Sequence, residues 1–239
     1  MASWITHTII AGRLLESFPE LDVTGFCAGN IAPDCNVEKA DWSGFEPPRE
    51  ATHWMRGEKK SSCDHQGFAE KYIRGREHSC AEERAFMLGY YAHLITDMEF
   101  EAFLRDEARV ARCFSRIRGS REMSARVGDI PETWDALKKA LGRPRLNAEL
   151  RAIEEAYLRK EPGHIYNTVL RRITDFPDYL DYMPANAVSR KIPIMTRPPE
   201  EMNIKHMFFV SEDEYWEFID AACRRLQPLI ADMLQKEET

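Results

Sequence analysis

The chain has 239 residues, of which 44% are hydrophobic and 31% are charged, and its formal net charge at pH 7 is −7. This composition is typical of a globular protein, and we expect a single domain spanning residues 1–239. The acidic balance, with Lys and Arg scattered along the chain, argues against stable binding to nucleic acid. No apolar run approaches the roughly 20 residues that a membrane-spanning helix needs.

Two features of the sequence predict a cytoplasmic protein. The first residues, MASWITHTIIAGRLLE, lack the basic start and the small-residue cleavage site of a signal peptide. The six cysteines form no CxxC pair, and without an export signal we expect them to be reduced thiols.

Apolar spacing and capping signals predict an all-α fold with long loops. The first segment places Ile5, Ile9 and Leu14 at helical spacing, with His7 on the same inward side. Residues 41–62 contain adjacent prolines and two glycines, which predict an extended surface loop. Further helices are predicted over about 64–75, 80–106, 131–142, 147–159 and 163–174, and from residue 211 onwards.

Capping boxes mark the two longest predicted helices. Ser79 with Glu82 precedes the central helix, and Ser211 with Glu214 opens the C-terminal one, which Pro228 is expected to kink. Between them, residues 177–203 are rich in proline and predict an irregular segment that forms a pocket wall. No strand alternation of useful length occurs.

The stretch GYYAHLITDMEF, residues 89–100, predicts a buried helix that nevertheless carries His93 and Asp97. Residues four apart share one face of a helix, so the pair can point two ligand atoms at one centre. Imidazole nitrogen and carboxylate oxygen both suit zinc, and a cation would explain a buried aspartate. The alternative is a hydrogen-bonded pair without a metal. Gly89, one turn earlier, leaves room for a close neighbour, and Tyr90 is expected to pack in the core.

Three other residues are candidate metal ligands. His7 lies on an apolar helix face, Asp34 follows a proline in GNIAPD, and His53 lies in the loop. Taken singly, each has an ordinary interpretation as a core histidine, a turn aspartate or an exposed histidine.

The motifs SWITH, GNIAPDC, THW and GYYAHLITD occur here in that order. With these motifs, residues 3–105 resemble the zinc-dependent phospholipase C family, and in particular its short bacterial branch of metal-dependent hydrolases. The resemblance implies that Asp34, His53 and His93 bind one zinc ion, that Asp97 bridges, and that His7 helps to hold a second ion. It further implies hydrolysis of a small phosphodiester or phosphomonoester by metal-activated water, with Asp34 and Asp97 as the catalytic carboxylates. For such an enzyme, the alternative role of Tyr90 is to donate to a phosphate oxygen. One or two ions are expected, and manganese or iron would also suit the ligands.

The chain also departs from that family. Its secreted members hold a third zinc with further histidines and a glutamate, whereas no histidine occurs here between residues 94 and 163. They also use the amine of an N-terminal tryptophan, whereas Trp4 is internal. A non-catalytic helical binding or scaffold protein that retains a structural metal site is therefore the alternative function.

The remaining histidines have weaker signals, and the oligomeric state is left open. His65 and His78 flank a predicted surface helix, where Asp64 is expected to act as a cap. His164 and His206 lie outside the motifs, and His206, in NIKHMFF, is the better candidate for a substrate contact.

Overall fold

The computed structural model describes residues 2–39, 41, 43–202 and 204–235, apart from the side chain of Lys60. Helices dominate this part of the chain, so the all-α prediction is confirmed. The α-helices among the described residues are α1 (Trp4–Ser17), α2 (Val23–Gly29), α3 (Arg49–Thr52), α4 (His65–Tyr72), α5 (Ala81–Arg105), α6 (Glu107–Arg118), α7 (Arg121–Val127), α8 (Trp134–Leu141), α9 (Arg143–Lys160), α10 (Ile165–Thr168), α11 (Ala187–Met195) and α12 (Glu212–Gln235).

Two short strands and three 3₁₀ turns complete the described structure. The strands β1 (Val37–Glu38) and β2 (Phe45–Glu46) pair antiparallel, with Val37 opposite Glu46. The 3₁₀ turns are Ala32–Asp34, Lys60–Ser62 and Leu170–Arg172. The region predicted as one extended loop, 41–62, thus contains β2 and the single-turn helix α3, which ends just before His53.

Helix α5 lies at the centre of the core, because every residue from Ala85 to Asp97 is buried. Helix α2 packs against it so closely that a side chain on Gly25, Gly29 or Gly89 would overlap the backbone of the opposite helix. The expectation that Gly89 leaves room for a close neighbour is therefore confirmed. This contact sets the end of α2, at Asn30, directly against His93.

One of the two predicted capping boxes is confirmed and the other is wrong. At α12, the Ser211 N–H donates to the Glu214 carboxylate (2.9 Å), and the Glu214 N–H donates to the Ser211 hydroxyl (3.2 Å). At α5, the residue before the first turn is Cys80, whose side chain caps nothing. Ser79 instead donates to the carboxylate of Glu83, through its N–H and its hydroxyl.

Other helix bounds differ from the prediction for local reasons. Helix α8 begins at Trp134 rather than near Pro131, because the Thr133 hydroxyl accepts from the Ala136 N–H as its N-cap. Helices α6 and α7 were not predicted. Within the segment expected to be irregular, α11 forms and passes through Pro193, and its buried Val188 and Ile192 face the core.

Three further predictions concern helix ends and a proline. The predicted helix over 163–174 is reduced to α10 and one 3₁₀ turn. Asp64 caps α4 as expected, accepting from the Gly67 N–H at 3.1 Å. Pro228 lies inside α12, which continues to Gln235.

Buried apolar residues from α1 to α12 form one contiguous cluster. No helix in the described ranges has the length and apolar character to cross a bilayer.

Candidate metal centre

The five predicted ligands come from four separate segments and meet beside the middle of α5. His7 comes from α1, Asp34 from the 3₁₀ turn after α2, His53 from the end of α3, and His93 with Asp97 from α5. His7 and His93 are fully buried, His53 and Asp97 are 2% exposed, and the Asp34 side chain is 9% exposed. Asp34 is thus the member of the cluster closest to solvent.

Backbone carbonyls orient the two central imidazoles. His93 Nδ1 lies 2.7 Å from the carbonyl oxygen of Asn30, and His53 Nδ1 lies 3.1 Å from that of Arg49. Because a carbonyl oxygen only accepts, both Nδ1 atoms carry the proton. Each Nε2 atom therefore presents a lone pair, which is the arrangement found in metal-bound histidines whose other nitrogen is hydrogen-bonded.

These lone pairs converge with carboxylate oxygens in one small volume. The Nε2 atoms of His53 and His93 are 3.3 Å apart. Asp97 Oδ2 lies 3.3 Å from His93 Nε2 and 3.5 Å from His53 Nε2, and Asp34 Oδ1 lies 3.2 Å from His53 Nε2. Electron pairs and negative charges gathered in this way repel one another unless positive charge is placed among them.

His7 and Asp97 extend the cluster on the α1 side. The His7 ring stacks on the His93 ring, with centroids 3.8 Å apart and planes 5° from parallel. His7 Nε2 lies 3.8 Å from Asp97 Oδ1, which also accepts the N–H of Ala2 at 3.0 Å. Asp97 thus has one oxygen toward His7 and the other toward His53 and His93.

The side chains form two overlapping sets of three ligands. His7, His93 and Asp97 form one set, and Asp34, His53 and His93 form the other, with ligand atoms within 4.8 Å of one another in each. Three imidazoles and two carboxylates are a donor set that suits zinc and also accepts manganese or iron. The buried His/Asp group can therefore hold a metal ion.

The structure places the other singled-out residues away from this cluster. The Tyr90 hydroxyl donates to the carbonyl oxygen of Thr52 and accepts from Tyr182 at 2.9 Å, so Tyr90 supports α3 from within the core. His164 caps α10, and burial lowers its pKa to about 4. His206 is exposed on a separate groove. His65 and His78, expected to be exposed, are half-buried.

Sequence reasoning missed the groups that support the ligands. The carbonyls of Asn30 and Arg49 are backbone atoms, which carry no residue-type signal. A second missed group is Glu154, fully buried beneath α1, which accepts from the hydroxyls of Ser3 (2.5 Å) and Thr6. Burial raises the pKa of Glu154 to about 7 against these hydrogen bonds. The signal for such a group is a lone acid on the inward side of a predicted helix.

Comparison with known proteins identifies a similar family for the segment of the chain that carries the cluster. No curated protein and no solved structure matches the chain significantly. A family model described as zinc dependent phospholipase C matches residues 6–99, a span that contains all five of the clustered side chains. The resemblance carried by the sequence motifs is thereby confirmed, and residues 6–99 are similar to the zinc-dependent phospholipase C family.

Proposed function

We propose that this protein is a zinc-dependent hydrolase of small phosphate esters, with His7, Asp34, His53, His93 and Asp97 as its metal ligands. The observation that carries the proposal is the convergence of the His53 and His93 Nε2 lone pairs with the carboxylates of Asp34 and Asp97. The family match over the same residues supports phosphoester hydrolysis as the reaction type.

Each ligand has a distinct part in this proposal. Zinc, when bound, lowers the pKa of water toward neutrality and stabilises charge on phosphoryl oxygens. His93 belongs to both sets of three, so it holds the centre together. Asp97 shares its two oxygens between the sets. Asp34, as the ligand closest to solvent, is placed to accept a proton from water entering the site.

Metal analysis and turnover of two model esters test the proposal. Protein purified without a histidine tag is expected to contain zinc and to hydrolyse bis-p-nitrophenyl phosphate or p-nitrophenyl phosphate. His53→Ala should lose this activity by about a hundredfold or more, as is usual when a metal site is disrupted. His78→Ala, which alters a loop histidine outside the cluster, is the matched control and should keep it. Absence of metal and of turnover after addition of zinc or manganese would contradict the proposal.

A structural metal site in a non-catalytic binding protein is the second candidate, and the deep burial of the cluster favours it. Closed, fully liganded zinc sites contribute folding free energy without chemistry. Zinc that stays bound while both esters remain uncleaved would favour this role. For either role we expect a small-molecule ligand. We also expect a cytoplasmic location, because none of the six cysteines is in a disulfide.

A further inference from the structure

A groove of about 340 Å³ lies among α7, α9 and residues 204–208, none of which contributes to the metal cluster. It contains His206, one of the four histidines that lie outside the metal cluster. Its walls combine cationic side chains, Arg145 and Lys205, with a buried carboxylate, Glu149. This volume lies at the lower end of the range for small-molecule sites.

Arg145 provides a cation in this groove that makes no direct ion pair with an acid of the described chain. The side chain is half-buried, and its guanidinium donates to the sulfur of Met123 at 3.6 Å. It makes no ion pair within 4.0 Å among the residues that the structure describes, unlike Arg112 and Arg116 nearby, which both pair with Glu214. A partly buried guanidinium without an anion is placed to receive one, and its planar fork matches a carboxylate.

Glu149 provides the opposite charge one helical turn away. It is 2% exposed, and its Oε2 accepts the N–H groups of Phe208 and Phe209, both at 2.8 Å. Its Oε1 is buried in the groove wall and has no hydrogen-bond partner in the described chain. An unsatisfied buried acceptor destabilises the free protein, and a donor from a ligand would remove that cost.

The apolar part of the wall is formed by Met123, Ala148, Ile204 and Phe208, and the polar side chains of Ser120 and His206 also line the groove. The charges of Arg145 and Lys205 balance those of Glu149 and Glu122, which also lines the groove. A simple anion would therefore meet as much repulsion as attraction, whereas a molecule with one positive and one negative end would satisfy both. An apolar body between those ends and the wall would fill the remaining space.

We propose that this groove binds a small zwitterion of the amino-acid class with an apolar side chain. Its carboxylate lies at Arg145 and Lys205, its ammonium donates to Glu149, and its side chain packs on Met123, Ile204 and Phe208. The site is independent of the metal cluster, so it predicts binding whether or not the protein hydrolyses esters.

Calorimetry on the full chain tests this proposal with L-leucine, L-methionine and L-phenylalanine as probes. Binding of at least one is expected, and 3-methylbutylamine and 4-methylpentanoate, which each lack one charge of leucine, should bind at least about tenfold more weakly. Arg145→Gln and Glu149→Gln should each weaken binding about tenfold or more, while Arg143→Gln, an exposed neighbour outside the groove, should not.

Two results would overturn the proposal. One is no heat from any of the three amino acids at about 10 mM with folded protein, since affinity weaker than that is not specific recognition. The other is binding that Arg145→Gln leaves unchanged. Because Arg145 is only half-buried and pairs with no acid in the described ranges, this variant is expected to fold even if Glu149→Gln does not. Circular dichroism checks the folding of both variants.

Discussion

Individual residues of the cluster determine how many metal ions it can hold. His93 belongs to both sets of three ligands, whereas His7 belongs to one and His53 to the other. We predict that His93→Ala removes all bound zinc, and that His7→Ala leaves the ion held by Asp34, His53 and His93. Metal content per chain, measured by mass spectrometry of the purified variants, checks this. His65→Ala, a half-buried histidine outside the cluster, is the control, and equal zinc loss in the His7 and His93 variants would contradict the shared role.

A second residue-scale prediction concerns Glu154. Burial raises its pKa from 4.5 to about 7, so the folded protein keeps this proton where the unfolded chain has lost it. The contribution of Glu154 to the free energy of unfolding is therefore fully present below about pH 4.5. It is lost as the pH rises toward 7, by at most about 1.4 kcal/mol per pH unit. Glu154→Gln should flatten this decline in the free energy of unfolding, measured with urea at several pH values. Glu161 is exposed at the end of α9, so Glu161→Gln should show the same pH dependence of the unfolding free energy as the wild type. If the pH dependence of Glu154→Gln is parallel to that of the wild type, the prediction is contradicted.

Sequence reasoning at this scale found side chains but not their supports. His93 and Asp97 follow from helical spacing in an apolar helix, and the ordered motifs added His7, Asp34 and His53. The carbonyls of Asn30 and Arg49 that fix the imidazoles depend on where α2 and α3 end. The proton on Glu154 depends on α1 and α9 packing together. Both require the folded chain, because contacts between distant segments leave no local pattern.

Among the elements, those with strong local signals were predicted and those held by distant contacts were not. Helix α5 was expected over 80–106 and spans Ala81–Arg105, since its long apolar stretch is a strong local signal. Helix α11 was missed because Pro193 and three consecutive polar residues obscure its apolar spacing. Burial of Val188 and Ile192 stabilises it. The Ser79 cap failed because Glu83 competes for the serine N–H and hydroxyl.

The α2–α5 contact gives a prediction at the scale of these elements. A methyl group on Gly29 would overlap the carbonyl oxygen of Phe86, which is backbone and cannot rotate away. Gly29→Ala should therefore push α2 from α5, lower the free energy of unfolding by about 1–3 kcal/mol, and weaken zinc binding by displacing the Asn30 carbonyl from His93. Urea unfolding and zinc titration measure the two effects.

The matched control is Gly119→Ala at the end of α6. A side chain there meets its nearest atom at 3.4 Å, and the backbone φ of −67° suits any residue. The change in unfolding free energy should stay within about 0.5 kcal/mol. Equal effects of the two variants would show that the helix contact is not the cause.

At the scale of the whole molecule, the metal cluster joins four segments that are distant in sequence. The ligands span His7 to Asp97, so an ion bound only by the folded chain acts on the folding equilibrium itself. Free zinc at a hundred times its dissociation constant would add about 2.7 kcal/mol to the free energy of unfolding. We therefore predict that the chelator EDTA shifts the urea midpoint of the wild type to lower concentration, and that excess zinc restores it. His93→Ala should show neither shift, because it lacks the residue common to both ligand sets. If neither EDTA nor zinc changes the urea midpoint of the wild type, protons rather than a metal ion separate the converging lone pairs. The proposal of a zinc-dependent hydrolase would then have to be abandoned.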